Sequence, residues 1–173
     1  PNLDAMLERA ALRGDERVLD VGCGAGHTAL AFAVHAREVV ALDMTQEMLD
    51  EAARLAKQRG LANLTFRLGL AVELPFPDGS FDVVTSRFCA HHYADPSRAT
   101  REAARVLRSG GRYLLVDTIA LEDGVQDTYL NAVEVLRDPS HVRDYSASQW
   151  NAMFADAGFE SSLLARWKLR LEF

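Results

Sequence analysis

The sequence predicts an α/β fold, an open, doubly wound and mostly parallel sheet with helices on both faces. Two observations predict it. Short apolar runs alternate with amphipathic stretches in a βαβα rhythm along nearly the whole chain. A glycine-dense loop, "DVGCGAGHTA" from Asp20 to Ala29, follows the first strand-like run and leads into a helix-like one. Right-handed crossovers in such a sheet give the strand order 3-2-1-4-5, to which a C-terminal strand is added here.

The elements follow in order. Leu3, Met6, Leu7, Ala10 and Ala11 share one helical face, and Gly14 ends that helix. Arg17 to Val21 reads as a short buried strand, and after the glycine loop a helix runs through Ala29–His35. Glu38 to Leu42 is the second strand. Thr45 stands as N-cap to a helix that turns Met48, Leu49, Ala52, Leu55 and Ala56 inward and closes at Gly60. Leu64 to Leu68 is the third strand, a proline-rich loop covers Leu74 to Ser80, and Phe81 to Ser86 is the fourth. Asp95 caps a helix with Pro96 in its first position, running to Leu107. Gly110-Gly111 leads into the fifth strand, Arg112 to Asp117. Helices over Val125–Leu136 and from Ser146 to Gly158 precede a last strand around Glu160 to Ala165.

The length of 173 residues favours one domain spanning residues 1–173. A net charge of −6 repels phosphate backbones, which argues against a nucleic-acid partner. No apolar run approaches a membrane span and no secretory signal is visible. Cys23 and Cys89 are too few for a disulfide framework or a zinc site and suit a reducing cytoplasm, so no metal is expected. Because the chain starts at Pro1, without a methionine, it is expected to be a trimmed protein.

Ligands of doubly wound sheets bind outside the carboxyl ends of the strands, at the switch point between strands one and four. That places the glycine loop and "SRFCAHHYADP", Ser86 to Pro96, in one cleft. Three glycines in five residues, Gly22, Gly24 and Gly26, exceed what a structural turn requires. Gly24-x-Gly26-x-x-Ala29 also matches a dinucleotide fingerprint, with Asp43 near the distance expected of a ribose-binding acid, so spacing leaves NAD(P) open. Charge separates the two cofactors. Asp20 stands directly before the loop, where it would repel a pyrophosphate and favour a cofactor bearing an ammonium and a sulfonium. S-adenosylmethionine (SAM) carries both, together with a ribose diol suited to Asp43. Asp20 can at the same time brace the loop or cap the helix.

"VLDVGCGAGHTA" resembles the first motif of the class I SAM-dependent methyltransferases, a Rossmann-like family, and "VVALDMTQEML" resembles the second. "LPFPDGSFDVVTSRFCAHHYADPSRATREAARVLRSGGRYLLVD" is similar to their ubiquinone/menaquinone-biosynthesis-like (methyltransferase type 11) branch, and "RDPSHVRDYS" strengthens that similarity. The resemblance implies that the backbone from Gly22 through Cys23 and Gly24 to Gly26 lies along the methionine part of SAM. It also implies that Asp43 holds the ribose and Met44 flanks the adenine, while Arg87 opens a loop facing the acceptor. The family usually reads Gly-Asp-Ala-Glu before "LPF". This chain has "RLGLAVELPF", with Leu70 in place of the carboxylate that accepts from the adenine amino group. Leu70 can still pack on the ring and the Ala71 N–H can serve a ring nitrogen, whereas Glu73 lies too far along to substitute. Related proteins continue into another helix and a seventh, antiparallel strand, which is expected to be missing here.

Methyl transfer is an in-line displacement, for which the protein mainly aligns nucleophile and methyl and supplies a base where a proton must leave. His92 and then His91 are the candidate bases, with one of the pair expected to serve the loop structurally. Tyr93 and Cys89 are expected to pack. Arg137, His141, Arg143 and Tyr145 in "LRDPSHVRDY" either cover the cleft mouth and attract an anion or form an exposed connector. The reading is a SAM-dependent methyltransferase for a small-molecule acceptor. The alternatives are a non-catalytic SAM-binding or interaction domain and an NAD(P)-dependent oxidoreductase.

Overall fold

A computed structural model describes residues 2–167. The elements are α1 (Asn2–Ala10), β1 (Arg17–Val21), α2 (His27–Ala33), β2 (Glu38–Asp43), α3 (Gln46–Gln58), β3 (Leu64–Leu68) and β4 (Phe81–Arg87). A 3₁₀ turn (Ala90–His92), α4 (Pro96–Val106), β5 (Leu107–Val116), α5 (Gly124–Arg137) and α6 (Ala147–Asp156) complete them. Among the described residues the sheet has five strands in the order β3-β2-β1-β4-β5. Every pairing is parallel, and β1 sits in the centre with Leu19 opposite both Val40 and Val84.

Alternation along the strands sends neighbouring side chains into different layers. Val18, Val39, Ala41 and Val83 meet Met6, Ala10, Ala29 and Phe32 of α1 and α2. Leu19, Val40, Leu42 and Val84 meet Ala99, Ala103 and Val106 of α4 and Trp150 of α6. Burial on both sides is why the inner strands carry consecutive apolar residues, Val18-Leu19, Val39 to Leu42 and Val83-Val84. Asp95 accepts from the Arg98 N–H at 2.8 Å at the start of α4, with Pro96 just inside. Ser146 and Gln149 form a reciprocal capping box on α6.

Four expectations need correction. The last strand is absent among the described residues: 160–167 are exposed and irregular, and Glu160–Ala165 forms no ladder with β5, the terminal strand of the sheet. β5 begins at Leu107, directly after α4, rather than at Arg112. Leu107 opposes Phe81 and Arg112 opposes Val83, so the intervening residues bulge, with Gly110 at φ 76°. Met48 is 44% exposed, since α3 docks through Leu49, Ala52 and Ala56, one helical step away. α2 begins at His27 because Gly26, at φ 83°, forms the cap two residues earlier than expected.

Candidate functional site

The carboxyl ends of β1, β2 and β4 bring the glycine loop, Asp43 and the loop after β4 together. The N–H groups of Gly22 and Cys23 donate to Leu42 O at 2.8 and 3.0 Å, which ties the loop to β2. Asp43 ends β2 and accepts from the Gly24 N–H at 2.8 Å and the Thr45 N–H at 3.0 Å, one on each oxygen. A carboxylate has about four acceptor positions, so two remain open. Thr45 stands at the N-cap of α3 but makes no side-chain cap bond.

The three glycines are needed for different reasons. A Cβ on Gly22 would lie 2.0 Å from Cys89 Sγ and 2.8 Å from Cys89 Cβ, so this glycine lets the loop after β4 close onto β1. A Cβ on Gly26 would lie 2.8 Å from Ala52 Cβ, so this one lets α2 meet α3. Gly24, at φ +51°, would place a Cβ in open space. Only Gly24 therefore presents bare backbone to a void where a ligand can lie.

Asp20 is buried. Its oxygens accept from the Ala29 N–H at 3.0 Å and the Thr85 hydroxyl at 2.8 Å. Burial pushes its pKa up to about 7, opposed by those two donors and by the nearby Arg87 guanidinium. The bracing role anticipated for Asp20 is thus its geometry. The carboxyl also occupies the third N–H of α2, part of the helix start on which a pyrophosphate would dock.

At the opposite rim Met44 is 70% and Leu70 49% exposed, two large apolar side chains after β2 and β3. Leu70 O accepts from the Glu73 N–H at 3.2 Å in a tight turn that carries Ala71. The Glu73 carboxylate lies 4.0 Å from Arg98, on the α4 side, and does not replace the missing acid. Arg87 turns toward the helices instead of the acceptor side, donating to Thr28 Oγ1 at 2.9 Å and Asn2 Oδ1 at 3.3 Å.

The hydroxyls of Ser86, near the end of β4, and Tyr93, in the loop that follows, are 3.0 Å apart and buried. Burial raises the thiol pKa of Cys23 and pushes that of Cys89 up to about 12, so both stay protonated. His91 Nδ1 lies 2.6 Å from Asp117 Oδ1, and the His91 N–H donates to Asp117 Oδ2 at 3.2 Å. Burial disfavours the His91 imidazolium, but the Asp117 carboxylate outweighs it and the pKa rises. His92 turns its Nδ1 to Ser140 O at 3.0 Å, fastening the loop to the connector between α5 and α6.

That connector is neither an exposed tether nor a free cationic lid. His91 O accepts from the Val142 and Arg143 N–H groups at 2.9 and 3.0 Å. Arg137 pairs with Glu134 and Arg143 with Asp127, which cancels their charge toward an anion. His141 is buried, and Tyr145 packs edge-on against Trp150. Sequence reasoning passed over Asp117, although it ends the quoted "YLLVD" run at the carboxyl end of β5. Glu134 and Asp144 gave no signal because acids on a helix and in a connector ordinarily face water. A groove of about 420 Å³ lined by Arg17, Glu38, Thr65 and Phe76 contains none of the loop, Asp43 or His91 residues.

Sheet order, switch-point loop and strand-end acid define the class I SAM-dependent methyltransferase fold. The Methyltransf_11 family model, described as "Methyltransferase domain", matches residues 19–115, and the chain belongs to that family. It is 46% identical over 172 residues to the uncharacterized methyltransferase YcgJ of Bacillus subtilis, covering 99% of this chain and 68% of that one. The crystal structure of YcgJ superposes with a TM-score of 0.88 at 50% identity, over 90% of this chain and 66% of that one. A putative methyltransferase of Bacillus halodurans gives a TM-score of 0.90 at 42% identity, over 92% of this chain and 69% of that one. The ubiquinone/menaquinone biosynthesis C-methyltransferase UbiE of Ruegeria is 38% identical over 131 residues, 73% of this chain and 52% of that one.

Proposed function

We propose that the chain binds SAM across the carboxyl ends of β1, β2 and β3 and methylates a small molecule held beside the 90–92 turn, which the 138–146 connector backs. The observation that carries the cofactor half is the pairing of Asp43 with Gly24. Asp43 is fixed by two backbone donors and keeps two acceptor positions for a ribose diol, beside bare backbone facing open space. Met44 and Leu70 supply exposed apolar rims for a flat base, with the Ala71 N–H at hand. Cys23 contributes its backbone, since its thiol stays protonated. SAM, when bound, supplies the activated methyl group. The chain's own work is to align an acceptor and to take a proton from it.

His91 is the better candidate for that base than His92. A buried carboxylate on Nδ1 fixes the ring and stabilises the imidazolium that forms as Nε2 takes the proton. His92 spends Nδ1 on the connector. A histidine base suits an acceptor that loses its proton near neutral pH, a phenol or an enol. Two free thiols fit work in a reducing cytoplasm. The test is methyl transfer from SAM to a panel of phenols, quinones and amines, reading S-adenosylhomocysteine release. Turnover with phenols or enols, lost in His91→Ala and retained in His92→Ala, supports the reading. Turnover unaffected by His91→Ala contradicts the assignment of the base.

A further inference from the structure

Glu134 of α5 and His141 and Asp144 of the connector converge at one point. Each offers a carboxylate oxygen or an imidazole nitrogen, and the three atoms lie within 4.8 Å of one another. The exposures of Glu134, His141 and Asp144 are 3%, 7% and 1%, so this is an interior cluster. Two carboxylates confined together away from water repel each other and lose hydration, and such groups persist when paired or when they coordinate an ion.

The pairing present is incomplete. Arg137 donates twice to a single oxygen of Glu134, Oε2. Asp144 Oδ1 accepts from the Thr118 hydroxyl, whereas Asp144 Oδ2 is buried with no hydrogen-bond partner among the described residues. Among the described residues one other buried side-chain polar atom lacks a partner, the donor Trp150 Nε1, so Asp144 Oδ2 is the one orphaned buried acceptor, and it points to a ligand that is not a protein group. Asn131 holds two members in place: its Oδ1 takes the Asp144 N–H at 2.7 Å and lies 3.2 Å from His141 Nε2. That is how an outer partner orients metal ligands.

A neighbouring trio, His91, Asp117 and Asp144, has similar spacing, but Asp117 already receives donors on both oxygens. The need for a cation therefore falls on the first trio. One nitrogen and two carboxylates suit a first-row divalent ion better than the all-oxygen sites of magnesium or calcium.

We propose that Glu134, His141 and Asp144 bind one divalent transition-metal ion, of the zinc or manganese type, that clasps the 138–146 connector to α5. The His141 ring stacks on His91 with centroids 5.6 Å apart, and the connector backbone bonds to His91 O. The ion would thereby hold the wall on which the His91–Asp117 pair rests. It is a structural clasp, and its burial leaves it no place in methyl transfer.

The test uses the full chain, free of any expression tag and stripped with chelator. Zn²⁺, Mn²⁺ and Co²⁺ are titrated by calorimetry, with Co²⁺ absorption and thermal midpoints read in parallel. The proposal expects one ion per chain, a raised midpoint, and a Co²⁺ spectrum without thiolate charge-transfer bands. It expects loss of binding in His141→Gln and Asp144→Asn and a roughly 10- to 100-fold weakening in Asn131→Ala. Glu73→Gln, on the surface, leaves binding unchanged. Absence of stoichiometric binding to the stripped wild type overturns it. So does a thiolate band placing the ion at Cys23 or Cys89, or binding unchanged in folded His141→Gln and Asp144→Asn. Should those two variants fail to fold, the wild-type stoichiometry and cobalt spectrum alone decide.

Discussion

Replacing Gly22 and Gly24 separately by alanine distinguishes packing from ligand space within one loop. Both glycines have positive φ, +67° and +51°, so each alanine bears the left-handed backbone cost of about 1–2 kcal/mol. At Gly24 the new methyl meets nothing within 4 Å, and the cost stops there. At Gly22 the methyl would sit 2.0 Å from Cys89 Sγ and 2.8 Å from Cys89 Cβ. Rotating the thiol away does not relieve the Cβ contact, so the loop after β4 must shift, adding about 1–3 kcal/mol of overpacking. Gly22→Ala should therefore lose about 2–5 kcal/mol in urea unfolding and Gly24→Ala about 1–2 kcal/mol. Adding Cys89→Ala to Gly22→Ala removes the thiol and recovers part of the loss. SAM affinity reverses the emphasis: Gly24→Ala, though better folded, should weaken binding strongly, because its methyl fills space assigned to the cofactor. Equal stabilities for the two single variants, or a Gly24→Ala protein that binds SAM normally, would refute the division of labour.

The other expectations concern the acids and the base. The base works when neutral, so turnover should rise with pH through the His91 pKa, which Asp117 holds above the ordinary histidine value. Asp117→Asn should move that midpoint down and lower kcat, and an unmoved midpoint would separate His91 from the chemistry. Asp43→Ala strips the Gly24 and Thr45 N–H groups of their acceptor along with the ribose contact, so SAM binding measured by calorimetry should fall severely. Binding within a few-fold of wild type would remove Asp43 from the cofactor site. Leu70→Asp restores an acceptor at the adenine rim and should tighten SAM about 2- to 12-fold, the equivalent of one hydrogen bond worth 0.5–1.5 kcal/mol. Flat or weaker affinity would place Leu70 elsewhere.

The sheet was legible because its signals are local and repeated. Apolar runs at β1, β2 and β4 are buried on both faces, and Asp95-Pro96 marks the start of α4. The expected strand over residues 160–165 failed for the opposite reason. Its apolar residues fit a strand, but a strand also requires a pairing partner, which no sequence window contains. The glycine loop showed its density but not its reasons, since the Cys89 contact with Gly22 spans two segments far apart in the chain. The same holds for the site. Asp43 could be named from spacing, but the preference between His91 and His92 depends on Asp117, which lies 26 residues away in sequence and arrives through β5. Glu134, His141 and Asp144 converge only through the fold of the connector.

The most direct measurement is calorimetric titration of the chain with SAM, S-adenosylhomocysteine, NAD⁺ and NADH. Two open acceptor positions on Asp43, open backbone at Gly24 and a helix start already capped by Asp20 predict saturable heat with SAM and S-adenosylhomocysteine and none with either nicotinamide cofactor. Saturable heat with NAD⁺ or NADH, and none with SAM, would contradict the account.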